Sequence, residues 1–98
     1  MLFSMDEIKR RAIPIAQKYG IARLGLFGSY ARGDAHDGSD LDFIIRVGQL
    51  RGLIQYFGFV YDLEDTFQCH VDVVTDGIED KAFLNRIKED EVILYEAG

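Results

Sequence analysis

The sequence predicts an α/β (α+β) domain in which helices pack on a small mixed β-sheet. Short apolar runs of strand length alternate along the chain with longer segments that carry apolar residues at helical spacing. Of the 98 residues, 48% are hydrophobic, which is enough for a core without disulfides. Low-complexity tracts and internal repeats are absent, so residues 1–98 are expected to form one domain.

The first predicted element is a helix over residues 4–19. Ser4 and Glu7 fit a capping box at its start, and Gly20 fits a left-handed stop after its last turn. Pro14 lies inside this segment and removes a backbone donor. We therefore expect either a kink or two short helices.

A strand, a turn, a loop and a second strand are predicted next. The apolar run 21–27 has strand length, and residues 29–33 are predicted to form a helical turn that begins at a Gly-Ser pair. Residues 34–39 are rich in turn formers and predict an exposed loop. Residues 41–47 predict the second strand.

Residues 49–68 predict an amphipathic helix despite two internal glycines. The apolar positions at helical spacing are Leu50, Leu53, Ile54, Phe57, Val60, Tyr61 and Phe67. The aromatic side chains are too many to face one way, so one side of this helix is a candidate partner surface.

The last third of the chain predicts a strand over 69–75, a short helix over 80–88 and a final strand or docked tail over 92–95. Ala82, Phe83 and Ile87 are the residues of the short helix that we expect to face inward.

Composition narrows the class of protein. Seventeen acidic residues against eleven Lys and Arg give a formal net charge of −6, which argues against sequence-independent nucleic-acid binding. The single cysteine, Cys69, cannot form an internal disulfide and indicates a reducing compartment. The chain shows no signal-peptide pattern and no apolar run near the ~20 residues of a membrane span. We expect a cytoplasmic protein without nucleic-acid or membrane partners.

Acidic residues interrupt the second and third predicted strands. A single residue separates Asp40 from Asp42, so their side chains project to the same side, about 7 Å apart along the strand. Asp72 lies among the valines of the third strand, and the three carboxylates converge if the two strands are neighbours. A cation is the readiest way to stabilise such a cluster, and oxygen ligands favour Mg²⁺ or Mn²⁺ over Zn²⁺. Because Mg²⁺ is usually bound together with substrate phosphates, this site implies a nucleotide.

The Gly-Ser pair supplies a candidate phosphate site. Gly28 lets the backbone approach a phosphate without a Cβ in the way, and Ser29 adds a hydroxyl donor. The free N–H groups at the start of the following turn also favour anions, and Arg32 is a candidate phosphate contact. The glycine spacing matches neither a P-loop nor a Rossmann fingerprint.

Each feature also has a purely structural interpretation. The turn at Ser29 could simply join a strand to a helix, acids at strand ends are commonly solvated, and Asp72 could lie on an exposed edge strand. Arg32 is as readily a surface residue as a phosphate contact. His36 and His70 have no partner at zinc spacing and are assigned no role. The combination of these motifs, in order and on predicted strands, is what favours a site.

The run LFGSYARGDAHDGSDLDFII, with VDVV downstream, resembles the minimal nucleotidyltransferase (MNT) group of the DNA polymerase beta-like nucleotidyltransferase superfamily. The resemblance implies the polymerase beta-like fold and transfer of a nucleoside monophosphate from an NTP to a hydroxyl. It implies that Gly28 and Ser29 hold the phosphates of ATP. Asp40 and Asp42 would bind two Mg²⁺ or Mn²⁺ ions, and Asp72 would complete the site as ligand or base, which makes these three residues the expected catalytic and metal-binding set.

The resemblance also implies a partner. MNT proteins of this size resemble antitoxins paired with separately encoded HEPN-domain toxins, which are RNases, and some silence the toxin by adding AMP to a tyrosine. Since the chain has no room for an acceptor domain, we expect AMP transfer to such a toxin, in a homo- or hetero-oligomer. The alternative is a non-catalytic antitoxin that neutralises its partner by contact. A small-molecule acceptor is disfavoured by the missing acceptor domain.

Overall fold

A computed structural model describes residues 2–97. Within this range the chain forms four helices and four strands that alternate in part along the sequence. Their bounds are α1 Met5–Lys18, β1 Arg23–Phe27, α2 Gly28–Arg32, β2 Leu41–Arg46, α3 Gly52–Phe67, β3 Val71–Thr75, α4 Lys81–Asp90 and β4 Val92–Glu96. No helix in residues 2–97 combines the length and apolar character needed to cross a bilayer.

The four strands form one mixed sheet in the order β3-β2-β1-β4. β1 pairs antiparallel with both β2 and β4, whereas β2 and β3 are parallel and are joined by a crossover through α3. The predicted fold class, a small mixed sheet with helices packed on it, is confirmed. The predicted final strand is also confirmed, since β4 extends the sheet beside β1.

Helices cover both faces of the sheet. Leu41, Phe43 and Ile45 of β2 are buried on the face that packs against α1 and α3. Ile44 points to the opposite face and is buried with Leu84 and Ile87 of α4. Because side chains alternate along a strand, Asp42 lies on the same side of β2 as Ile44, toward α4.

The start and end of α1 follow the sequence prediction. The Ser4 hydroxyl accepts a hydrogen bond from the Glu7 backbone N–H at 3.1 Å. Gly20 has φ +69° and lets the Ile21 N–H reach the Ala16 carbonyl at 2.9 Å. The helix runs through Pro14 as one element, so the expectation of two short helices is wrong. Ala12 and Ala16, on either side of Pro14, are both buried, and this packing holds the helix together across the proline.

The predicted α3 helix is confirmed, and its apolar positions are partly as predicted. Phe67 is buried, as is Leu50 just before the helix, but four of the other predicted positions are exposed. The helix buries Phe59, Leu63 and Phe67, and these anchor it on α1 and the sheet. The large apolar side chains left in solvent are Leu53, Ile54, Phe57 and Tyr61, with exposed fractions of 70%, 90%, 61% and 66%. We call these four residues the exposed α3 face.

The inward face of α4 is partly as predicted. Ile87 is buried and Phe83 is half-buried, but Ala82 is exposed and Leu84 is buried in its place. The side chain of Asp80 caps the helix by accepting from the Phe83 N–H at 3.0 Å, and this sets which residues of the first turn face the sheet.

Candidate functional site

Strand pairing brings the predicted motifs to one edge of the sheet. Phe27, the last residue of β1, pairs with Asp42 near the start of β2. Asp42 in turn pairs with Asp72 near the start of β3. Because β1 is antiparallel to β2 while β3 is parallel to it, the Gly28-Ser29 turn and the three acids meet at this edge. The condition for their convergence, that the second and third strands are neighbours, is met.

A cluster of ligand atoms lies at this edge. One ligand atom from each of Asp40, His70 and Asp72 lies within 4.8 Å of the others, and all three residues are exposed. Asp42 is not part of this group, but it pairs with Asp72 in the strand register. Carboxylate oxygens suit Mg²⁺ and Mn²⁺, and an imidazole nitrogen is compatible with Mn²⁺ and the later divalent metals. The residues present therefore fit a divalent cation.

His70 is the residue that the sequence interpretation missed. Its Nε2 lies 2.9 Å from Asp72 Oδ1, and its Nδ1 lies 3.4 Å from Glu64 Oε2. The hydrogen bond with Asp72 raises the pKa of His70 above its ordinary value. The signal was available in the sequence, because His70 and Asp72 are two positions apart at the start of a predicted strand and therefore share a side.

The electrostatics of Asp42 favour a bound cation at the site. Burial is the largest cause that raises the pKa of Asp42, to about 6, and the negative charges of Asp72 and Asp40 add to it. A half-buried carboxylate beside two others is disfavoured in its ionised form. A cation at this edge would remove that penalty.

Replacing Asp42 with Asn should stabilise the metal-free protein in a pH-dependent way. The pKa of Asp42 rises from 3.8 to about 6 on folding, so the folded state binds the extra proton in this interval. Stability contributed by this group therefore falls as pH rises from about 4 to about 6 and stays low above that. We expect Asp42→Asn to raise the melting temperature above pH 6, with a gain that shrinks toward pH 4.

Thermal melts with a chelator across this pH range measure the effect. Asp65→Asn, which neutralises an exposed acid outside the site, serves as control. A lower melting temperature for Asp42→Asn at every pH would instead make Asp42 a structural residue.

The Gly28-Ser29 turn lies directly against Asp42. Gly28 has φ +77°, and a Cβ added to it would overlap Asp42 Oδ2 and lie 3.1 Å from Asp42 Cγ. The close approach of backbone to carboxylate thus requires glycine. The Ser29 carbonyl accepts from the N–H groups of Gly33 and Asp34, at 3.0 and 3.1 Å, while its hydroxyl makes no hydrogen bond within residues 2–97.

Arg32 is engaged by carboxylates. Its Nε donates to Asp34 Oδ2 and one of its terminal nitrogens donates to Asp90 Oδ2, both at 3.2 Å. These hydrogen bonds, with that to Asp90 the larger cause, raise the pKa of Arg32. The pair with Asp90 ties α2 to α4, and within residues 2–97 Arg32 forms no ion pair with Asp40, Asp42 or Asp72.

Comparison with known proteins agrees with this geometry. The family model described as "Nucleotidyltransferase domain" matches residues 9–95. A Methanocaldococcus jannaschii protein named as a candidate protein adenylyltransferase is 39% identical over 72 residues, covering 74% of this chain and 77% of the relative.

Two solved structures show the same fold. A toxin–antitoxin structure with AMP-PNP matches with a TM-score of 0.78 at 19% identity, covering 91% of this chain and 73% of the matched chain. A complex of tri-AMPylated Shewanella oneidensis HEPN toxin with MNT antitoxin matches with a TM-score of 0.70 at 15% identity, covering 91% and 70%.

The family model spans nearly all of the described residues, and the Gly-Ser turn and the acidic cluster fall inside it. The resemblance to minimal nucleotidyltransferases is thereby confirmed. The chain belongs to the nucleotidyltransferase domain family and is a nucleotidyltransferase.

Proposed function

We propose that this protein is a protein adenylyltransferase that uses Mg²⁺ or Mn²⁺ and transfers AMP from ATP to a tyrosine hydroxyl of a HEPN-type toxin. It would act as an antitoxin in the cytoplasm. The name of the Methanocaldococcus relative supports the transfer of AMP to protein. The fold shared with the complex of an AMPylated HEPN toxin and its antitoxin supports the kind of partner.

The observation that carries the proposal is the pairing of Phe27 with Asp42 and of Asp42 with Asp72 across three strands. This register places the glycine turn and the carboxylates where one triphosphate could contact both. Phosphoryl and nucleotidyl transfer depend chiefly on positioning and on neutralising charge, and a compact sheet edge of this kind can provide both.

Each residue then has a role in the reaction. The acceptor oxygen attacks the α-phosphorus of ATP, the bond from that phosphorus to the bridging oxygen breaks, and pyrophosphate leaves with the electron pair. Gly28 and Ser29 hold the phosphates, and Arg32 would join them only by leaving Asp34 and Asp90. Asp72 is exposed and hydrogen-bonded to His70. We assign Asp72 as the base that accepts the proton of the attacking hydroxyl. Two divalent ions held by Asp40, Asp42 and Asp72 would supply charge neutralisation of the phosphates when bound.

The exposed α3 face supports a protein partner. Large apolar side chains grouped on one helix face are characteristic of interaction sites. α3 lies close to the site, because the Tyr56 hydroxyl donates to the Val73 carbonyl at 2.9 Å, one residue beyond Asp72. The same face favours the second candidate function, in which a non-catalytic antitoxin neutralises the toxin by contact alone.

Intact mass spectrometry separates the two functions. The protein is incubated with a purified HEPN-type toxin, ATP and Mg²⁺. We expect the partner to gain one or more AMP units, and Tyr→Phe substitution in the partner to remove the gain. A partner that binds and is silenced without any mass change would overturn the enzymatic proposal in favour of the contact function.

A further inference from the structure

A cavity of about 410 Å³ lies between α2 and α4, beside the Gly28 turn. Its lining includes Gly28 and Arg32 from the α2 side and Phe83, Arg86 and Asp90 from α4. Cavities of roughly 300–1,000 Å³ hold small organic ligands in proteins.

The cavity lies on the same side of the sheet as the carboxylates. Phe27, which also lines it, packs with Ile44 and with the α4 residues beneath the cavity. Asp42 points to this side of β2, two residues before Ile44. A triphosphate lying against Gly28 and the acids would therefore also extend along α4.

The two arginines of the cavity differ in their partners. Arg32 is shared between Asp34 and Asp90. Arg86 is exposed, and within residues 2–97 it pairs with no carboxylate. Its guanidinium carbon lies 5.9 Å from the centroid of the Phe83 ring, a cation–π contact that orients the group without an ion pair, although Glu89 and Asp90 also line the cavity.

The geometry points to Arg86 as a triphosphate-binding residue of this cavity. This inference rests on the proposed function and deepens it by naming the cation that faces the nucleotide. A protein of net charge −6 with three acids at its site needs a positive side chain, in addition to the divalent ions of the proposed function, to attract an anionic substrate. Arg86 meets that need without losing another partner, whereas Arg32 would have to leave two carboxylates. Guanidinium groups are also well matched to phosphate oxygens, which they bind in bidentate fashion.

Calorimetry with a non-hydrolysable ATP analogue and Mg²⁺, and separately with AMP, tests this role. We expect Arg86→Ala to weaken binding of the ATP analogue by about 10- to 100-fold, the loss typical of a hydrogen bond to a charged group. AMP lacks the β- and γ-phosphates and should lose much less affinity. Arg86→Lys should recover part of the loss. Lys88→Ala removes the same charge from the other side of α4 and is the matched control.

The outcomes separate this inference from the proposed function. Unchanged affinity of Arg86→Ala for the ATP analogue, with Ser29→Ala weakened, would overturn the role of Arg86 and leave the proposed function standing. Equal losses for the ATP analogue and AMP would overturn the assignment to the triphosphate. A parent protein that binds no ATP analogue would overturn both.

Discussion

Replacing Asp40 and Asp42 together with alanine should lower the rate of AMP transfer by at least about a thousandfold, because the metal-dependent charge stabilisation they support is worth several kcal/mol and each ~1.4 kcal/mol is tenfold. The fold should survive. Asp40 is exposed, and the ionised form of Asp42 is disfavoured by burial and by its acidic neighbours. A melting temperature equal to or above that of the parent is therefore expected for the metal-free variant.

The measurement is the initial rate of AMP incorporation into the partner, with a thermal melt of the same preparation. The double variant Asp6→Ala/Glu79→Ala removes two exposed acids outside the site and should transfer AMP at the parental rate. Undiminished transfer by Asp40→Ala/Asp42→Ala would remove these residues from the reaction. Lost transfer accompanied by unfolding would make their role structural.

Gly28→Ala should cost both stability and nucleotide binding. At φ +77° any side chain is strained, by about 1–2 kcal/mol for a left-handed residue. The new Cβ would also overlap the carboxylate of Asp42, so that side chain must leave the position from which it faces Asp72. We expect a loss of stability beyond that caused by the backbone strain. We also expect at least about tenfold weaker binding of ATP with Mg²⁺, which corresponds to the loss of about one hydrogen bond to a charged group.

Gly38→Ala is the matched control for this variant. Gly38 has φ +94°, and a Cβ added there meets no heavy atom within 4 Å. It therefore carries backbone strain without a clash and lies in the loop before Asp40. Denaturant unfolding and calorimetry on both variants isolate the contact with Asp42. If the two variants behave alike, the close packing of Gly28 on Asp42 has no functional consequence.

The sequence predicted the site best where local rules apply. Ser4 and Gly20 predicted the two ends of α1. The single residue between Asp40 and Asp42 predicted carboxylates on one side of a strand, and in the structure Asp40 lies one position before β2 begins. Convergence with Asp72 required one further assumption, that β2 and β3 are neighbours, and the register confirms it.

The prediction of the buried face of α3 failed in part because two faces of this helix show the same apolar periodicity. Both sides of α3 are apolar, so helical spacing alone could not decide between the face that holds Phe59 and Leu63 and the exposed α3 face. Only the packing partners on α1 and the sheet distinguish them. His70 was set aside because it was judged against zinc spacing, and the contact that matters runs to Asp72 on the same strand.

The crossover through α3 has a consequence for synthesis of the protein on the ribosome. Asp42 of β2 pairs with Asp72 of the parallel strand β3, although the two residues are far apart in the sequence. At ribosomal rates of about 5–20 residues per second, Asp72 emerges about 1.5–6 s after Asp42. A nascent chain that has released β1, α2 and β2 already carries the glycine turn and two of the acids, but not the third. The three-acid cluster is therefore complete only after α3 has been synthesised and β3 has paired with β2.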